Sequence, residues 1–275
     1  MGIKERFRGI RTFLKKLCNK GRRENVKLYG EFSKEDWLHA IGIESNDVPK
    51  SFIIHGEWNH AENLKLWKEQ LSDDMLLPKW NTVLGKQNGV LTGFANVYGS
   101  PMAAAICHQF ASIGTKCFIQ TGYFGGLSQA VKYGDIFIVT EAKMEDGVSS
   151  HYKPGHNVVK SDEQLVNKAM EYCEKKNYSY ITGSVISTST PFLETSKLVL
   201  KWSLDGHIGV DMETAATLAV ANKFNRKAVS LLNLSDHLLQ GDTFYAYTAE
   251  REKLEAEIDK RIREIAFHLN SSAAT

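Results

Sequence analysis

Four short stretches hold the residues best suited to acid–base or anion chemistry: Gly56-Glu-Trp-Asn-His60, Gln120-Thr-Gly-Tyr-Phe-Gly-Gly126, Val210-Asp-Met-Glu213 and Ser235-Asp-His237. Two carboxyl groups in unlike surroundings can divide a bond cleavage between them, one handing over a proton while the other stays charged. Asp236 and Glu213 are the candidates for that division. The first stretch carries the carboxyl Glu57 and the imidazole His60, a side-chain type that titrates near neutrality. The glycine-rich second stretch either cradles a phosphate on its backbone N–H groups or simply turns tightly. Each residue also has a plain structural reading. Glu213 at a helix start is favoured by the helix dipole, Asp236 after Ser235 can be a cap, and His60 after a strand can be a structural hydrogen-bonder.

These stretches need elements to position them. Ser51–His55, Lys116–Ile119, Asp135–Thr140, 179–187 and 227–234 are short apolar runs that read as buried strands, and 89–98 alternates like one. Helical spacing recurs over 61–69, 102–113, 161–175, 213–224 and 248–269, and Ser33 with Asp36 forms a helix-start signature before Trp37. Strands that are apolar throughout, alternating with helices, predict an α/β domain whose sheet is covered on both faces. Ligands in such sheets collect beyond the carboxyl ends of the strands, which is where these loops fall.

The chain has 275 residues with 43% hydrophobic and 24% charged, a globular composition long enough for a substantial core. A net charge of +2 gives no case for nucleic acid. The charge is uneven, however: ten of the basic residues but only Glu5 and Glu24 of the acidic ones lie within residues 1–27. There Ile3, Phe7, Ile10, Phe13, Leu14 and Leu17 recur at three- and four-residue steps, predicting a basic amphipathic helix over 3–18. Its alternatives are weak contact with an anionic membrane or a partner, docking on the body, and a loose tail. The expected organisation is this N-terminal segment (1–27) followed by one domain (28–275). Cys18, Cys107, Cys117 and Cys173 have no CxxC spacing, so reduced thiols and a cytoplasmic location are expected, with no metal site. No apolar run approaches a membrane span, and no cleavable signal peptide is expected.

Taken in order, Gly99-Ser-Pro101, Ile119-Gln-Thr-Gly122-Tyr-Phe-Gly125-Gly126-Leu127, Gly134-Asp135-Ile136, Asp146 through Pro154, Val210-Asp-Met-Glu213-Thr-Ala-Ala and Ser235-Asp236-His237 resemble the purine nucleoside phosphorylase/uridine phosphorylase family. The resemblance covers residues 50–269. It implies a three-layer αβα fold with a central mixed, partly barrel-like sheet, and cleavage of the N-glycosidic bond of a nucleoside by a homodimer or hexamer. It further implies that Glu213 grips the ribose hydroxyls with Met212 against the sugar, that Asp236 is the general acid with Ser235 beside it, and that Phe192 lies near an aromatic that stacks on the base. Asp211, Gln120, Tyr123 and Gly122 complete the implied substrate-binding set. Chemistry agrees: a purine is a poor anionic leaving group, so protonating it calls for an acid with a raised pKa at Asp236, while Glu213 should stay ionised.

The departures bear on the acceptor. Phosphorylases resembling this chain hold phosphate with two arginines, at positions that here are His60 and Gln120, and often with a Ser or Thr where Tyr123 stands. A neutral amide cannot replace a guanidinium toward a dianion. Gln120-Thr-Gly-Tyr-Phe-Gly-Gly-Leu127 is similar instead to the methylthioadenosine/S-adenosylhomocysteine nucleosidases, in which water replaces phosphate and a glutamate of the first loop is the base. The expectation is therefore a purine nucleoside cleaved by water, with Glu57 or His60 activating it and no cofactor. The alternatives are phosphorolysis, with phosphate only as co-substrate, and a non-catalytic nucleoside-binding or storage relative.

Overall fold

The computed structural model describes residues 27–77, 81–245 and 248–273, so the basic helix predicted over 3–18 lies outside the described residues. Helix α1 (Lys34–Ile41) starts as its sequence dictates: Ser33 Oγ accepts the Asp36 N–H at 3.2 Å, and the Asp36 carboxylate accepts the Ser33 N–H at 2.7 Å. It stops at Gly42, whose φ of +85° suits a residue without a Cβ. The chain continues through β1 (Ser51–Gly56), α2 (His60–Lys68), β2 (Ser72–Leu77), β3 (Thr82–Gln87), β4 (Val90–Val97), α3 (Ser100–Ile113), β5 (Cys117–Gly126) and β6 (Ile136–Glu145). Then follow α4 (Ser149–Tyr152), β7 (Val158–Lys160), α5 (Glu163–Lys176), β8 (Tyr180–Thr188), α6 (Ser196–Leu204), β9 (Gly209–Asp211), α7 (Thr214–Lys223), β10 (Lys227–Asp236) and α8 (Ala249–Ala273).

The sheet runs β10-β6-β8-β9-β5-β1-β4-β3-β2, and β10 also pairs with β5. That extra pairing closes β10, β6, β8, β9 and β5 into a five-stranded ring, from which β1, β4, β3 and β2 extend as a wing. Strand β5 belongs to both parts. Its first half lies between β1 and β10, and its last residues, Gly125 and Gly126, exchange β1 for antiparallel β9. The sheet is mixed and partly barrel-like, as the resemblance implied.

The apolar strands are buried on both faces. Phe52, Ile54, Phe118, Phe137 and Val139 point to one side, where α3 and α7 bring Ala104, Phe110, Ala216 and Leu218. Ile53, Ile119, Ile136, Ile138 and Leu231 point to the other, meeting Trp67 of α2, Leu165 and Ala169 of α5, and Ile258, Ile262 and Ile265 of α8. This two-sided, period-two division is why the strands read as unbroken apolar runs rather than alternating ones. The antiparallel β2–β3 pair was not evident in the sequence: β2 reads Ser-Asp-Asp-Met-Leu-Leu at the edge of the sheet and is exposed except for Leu77.

Candidate active site

Loops at the carboxyl ends of β4, β1, β5 and β10 meet the junction between β9 and α7. The run of glycines closing β5 is the floor. Gly125 pairs with Asp236 of β10 on one side and Val210 of β9 on the other, so these two lie about 10 Å apart across one strand. Gly122 pairs with Gly56 of β1. A β-carbon on Gly122, which has φ of +149°, would lie 2.7 Å from the Gly56 carbonyl oxygen. One on Gly56 would lie 2.6 Å from Glu213 Oε2. Both glycines are therefore required by close approach, and Gly56 marks where the Glu213 carboxyl rests.

Glu213 is buried. Its Oε1 accepts the Gly99 N–H at 2.6 Å, tying it to the end of β4. Burial first, then the charge of Asp211, push its carboxyl up to about 8. In the free protein, desolvation beside a second buried carboxyl favours its neutral form, whereas the ionised form expected from the sequence is that of Glu213 accepting sugar hydroxyls. Asp211 itself is spent on the fold. Its Oδ1 accepts Ser187 Oγ at 2.5 Å and its Oδ2 accepts the Thr214 N–H at 2.8 Å, capping the start of α7. Met212 is half-buried, close to Gly99, and its carbonyl accepts Ser100 Oγ at 2.5 Å.

Asp236 ends β10 at a bulge and is buried. Ser235 Oγ hydrogen-bonds to its carboxylate and to the Phe124 carbonyl oxygen. Burial raises its pKa chiefly, against the pull of that hydroxyl and of Arg251. A second carboxyl stands beside it: Glu194, between the short turn Pro191–Leu193 and α6, is pushed up to about 7 by burial and by the Asp236 charge. Phe192, in the same turn, is 76% exposed, at the rim rather than packed over the site.

The first loop separates its two candidates. Glu57 Oε1 accepts the N–H groups of Trp58 and Asn59 at 2.7 and 3.1 Å, and burial raises its pKa, with Asp259 and Glu62 adding. Its charge reaches Glu213. His60 opens α2, and its buried Nδ1 has no hydrogen-bond partner. Gln120 is wholly buried in a network joining three elements: its Oε1 accepts Thr214 Oγ1 at 2.8 Å and the Ser230 hydroxyl, and its Nε2 donates to the Thr121 carbonyl at 3.0 Å. Tyr123 turns to the opposite face of the sheet, donating to Asp259 Oδ2 of α8 at 2.7 Å.

Sequence reasoning missed Glu194, Arg251 and Asp259. Arg251 contacts the Ser235 carbonyl oxygen and Asp242 Oδ2 and lies 4.5 Å from the Tyr133 ring centroid, so it braces the loop that follows Asp236. Nothing local in the sequence marks Glu194 or Arg251. Asp259 did leave a signal, being an acid beside Ile258 and Ile262 on the apolar stripe of α8. Among the described residues no group of three or more His, Cys, Asp or Glu is placed to hold a metal ion, and no helix is long and apolar enough to cross a membrane.

A family model described as the phosphorylase superfamily matches residues 77–267. Guanosine phosphorylase of Halorubrum lacusprofundi is 23% identical over 228 residues, covering 80% of this chain and 93% of that protein. A DeoD-type purine nucleoside phosphorylase of Clostridium beijerinckii is 30% identical over 132 residues, covering 48% of this chain and 56% of that protein. In structure, the chain is similar to uridine phosphorylase from Vibrio fischeri, with a TM-score of 0.73 at 20% identity over 84% of this chain and 96% of that one. This last likeness confirms the fold.

Proposed function

The chain belongs to the phosphorylase superfamily, and on that premise we propose that it cleaves the N-glycosidic bond of a purine nucleoside, with Asp236 as general acid to the departing base and Glu213 holding the sugar. The observation that carries this reading is the buried Asp236 carboxyl, raised by burial and bonded by Ser235, facing across a single glycine-floored strand the segment that bears a second buried carboxyl. A neutral Asp236 can protonate the purine as the bond to the sugar breaks, so the base leaves neutral rather than as an anion. Sugar hydroxyls donating to Glu213 would favour its charged form and lower its pKa on binding, placing negative charge near the cation-like sugar of the transition state.

For the acceptor, two lines of support diverge. The relatives carry the names of phosphorylases, which favours phosphate and does not support the hydrolysis expected from the sequence. Water is kept as a second reading by one observation: at the two positions where arginines were sought, Gln120 is neutral and fully engaged, and His60 opens a helix. Purine and pyrimidine nucleosides incubated with and without phosphate test both. Base release that ceases in Asp236→Asn supports cleavage, and the sugar product, free pentose or pentose 1-phosphate, identifies the acceptor. Ligand binding without base release would favour a non-catalytic relative. A homodimer or hexamer belongs to the same proposal, supported by Met75 and Leu76, 39% and 48% exposed on the edge strand β2; size-exclusion chromatography with light scattering checks it.

A further inference from the structure

Lys27 opens the described chain against α1, its Nζ lying 2.6 Å from Asp36 Oδ2. The short turn Tyr29–Glu31 comes next, and beside it is a groove of about 210 Å³ whose lining includes Tyr29, Gly30, Trp37, Ala105, His108 and Tyr152. Rings make most of its wall. Tyr29 packs on Phe32 at 5.6 Å between centroids, Phe32 on Trp37 at 5.0 Å, Trp37 on His108 at 5.6 Å and His108 on Tyr152 at 5.8 Å. One aromatic series therefore runs from the turn across α1 and α3 to α4. Burial lowers the His108 pKa, which favours the neutral imidazole, and its Nδ1 lies 3.2 Å from the Tyr152 hydroxyl. Leu28 and Tyr29 are exposed at the same lip.

The charge beside the groove has one sign. Residues 28–48 carry Glu31, Glu35, Asp36, Glu44 and Asp47 against Lys34 as their single Lys or Arg, and Glu35 and Glu44 are exposed. Lys153 follows Tyr152 at the α4 end, so the acidic side is that of α1. The sequence just before has the opposite charge: residues 1–26 hold nine Lys and Arg against Glu5 and Glu24. It also has a matching apolar pattern, with Ile3, Phe7, Ile10, Phe13, Leu14 and Leu17 at helical spacing. Ten residues, 18–27, separate Leu17 from Leu28. Extended, they reach up to about 35 Å, enough for the segment to turn back over the groove. Attachment to the body raises its concentration there to roughly millimolar, so weak complementary contacts suffice.

We propose that this groove is the docking site of the chain's own basic amphipathic segment, residues 3–18. Its lysines and arginines face the acids of α1 and the flanking turns, and large apolar side chains of its stripe enter between Trp37, Ala105 and Tyr152. A helix is about 10–12 Å across with its side chains, too wide for the groove, so the segment lies along it and inserts side chains. A stripe covered in this way is withheld from other apolar surfaces. It also braces the outer face of α3, the helix that follows Gly99, whose N–H holds Glu213. None of this depends on which reaction the cleft performs.

The test places photoreactive benzoylphenylalanine at Phe7 or Phe13 of the full chain and maps the crosslinks by mass spectrometry. Gel electrophoresis separates links within one chain from links between two. Links within one chain to the stretches 28–41, 102–112 or 149–153 are expected. Glu35→Lys combined with Glu44→Lys, both at exposed positions, should cut their yield roughly fivefold or more, as should about 0.5 M salt. Ala105→Arg, which fills the groove with a charge of the segment's own sign, should do the same, and thermal melting confirms that the variants fold. Links that map elsewhere on the body, no links at all, or a yield indifferent to the variants and to salt overturn the docking. Links only between chains would name a second copy as the occupant, and sedimentation of the full chain with phosphatidylserine vesicles without groove links would name an anionic membrane. Either result overturns it as well.

Discussion

Where β9 and β10 end, Glu213 and Asp236 are carboxyls whose pKa is raised by burial, Glu213 accepting the Gly99 N–H and Asp236 the Ser235 hydroxyl. Along β5 and β10 the polar residues instead bond to one another, Tyr123 and Asn233 to Asp259 of α8 on one face of the sheet and Gln120 to Thr214 of α7 and Ser230 on the other. The first region keeps its acids desolvated, with Glu213 Oε2 close to Gly56. The second uses its polar side chains as structural links. Desolvation tunes a group for chemistry only while its partner is the substrate; once the protein supplies every partner, the same burial merely rigidifies.

That contrast can be broken at its strongest point by Asp236→Asn, expected to lower kcat by about 10²–10⁴-fold, the range of a lost general acid, with nucleoside affinity little changed in a binding assay. Glu213→Gln should raise KM by about 10–100-fold, the worth of hydrogen bonds to a charged group, in steady-state assays. Stability gives an independent reading of the same residue. The folded chain holds the Glu213 proton up to about 8, whereas the unfolded chain releases it near the ordinary 4.5. The unaltered protein should therefore lose stability relative to Glu213→Gln as pH rises from about 4.5 to 8, and the gap should level off above that. Melting curves would show it as a difference in Tm widening by roughly 2–4 °C per kcal/mol. Gly56→Ala sharpens the comparison more gently, since its methyl would press on Glu213 Oε2 from 2.6 Å; a KM rise of about tenfold, 1.4 kcal/mol, is expected. The smallest effect belongs to the first loop. His60→Gln should change kcat/KM by less than about threefold, within the range of substitutions away from special features, and a large loss there would return His60 to candidacy as the base.

Much of the fold was legible because burial on both faces leaves a plain mark. The runs at Ser51–His55, 227–234 and Asp135–Thr140 announced strands, although β5 and β6 extend well past their apolar parts as glycines and alternating residues carry them on. The β2–β3 pair and β9 were hidden because an exposed edge and a three-residue strand have no periodicity to read. In the site, Asp236 and Glu213 could be named from their motifs. The fate of Gln120, Tyr123 and Asp211 could not, because whether a polar side chain meets a ligand or a neighbour depends on partners 94, 136 and 3 residues away. Glu194 needed the fold to bring it beside Asp236.

Strand β5 is shared between the closed ring and the open wing, and this gives the molecule an uneven mechanical character. The wing's outermost strand can part from β3 without severing any pairing of the ring, so amide protons of β2 should exchange with solvent well before those of β5 and β10. Asp236 and Glu213 are mounted on the slow-exchanging frame, while Glu57 hangs from β1, on the wing's side of the boundary. A thermal fluctuation would loosen the Glu57 side of the cleft first and leave Asp236 and Glu213 in place.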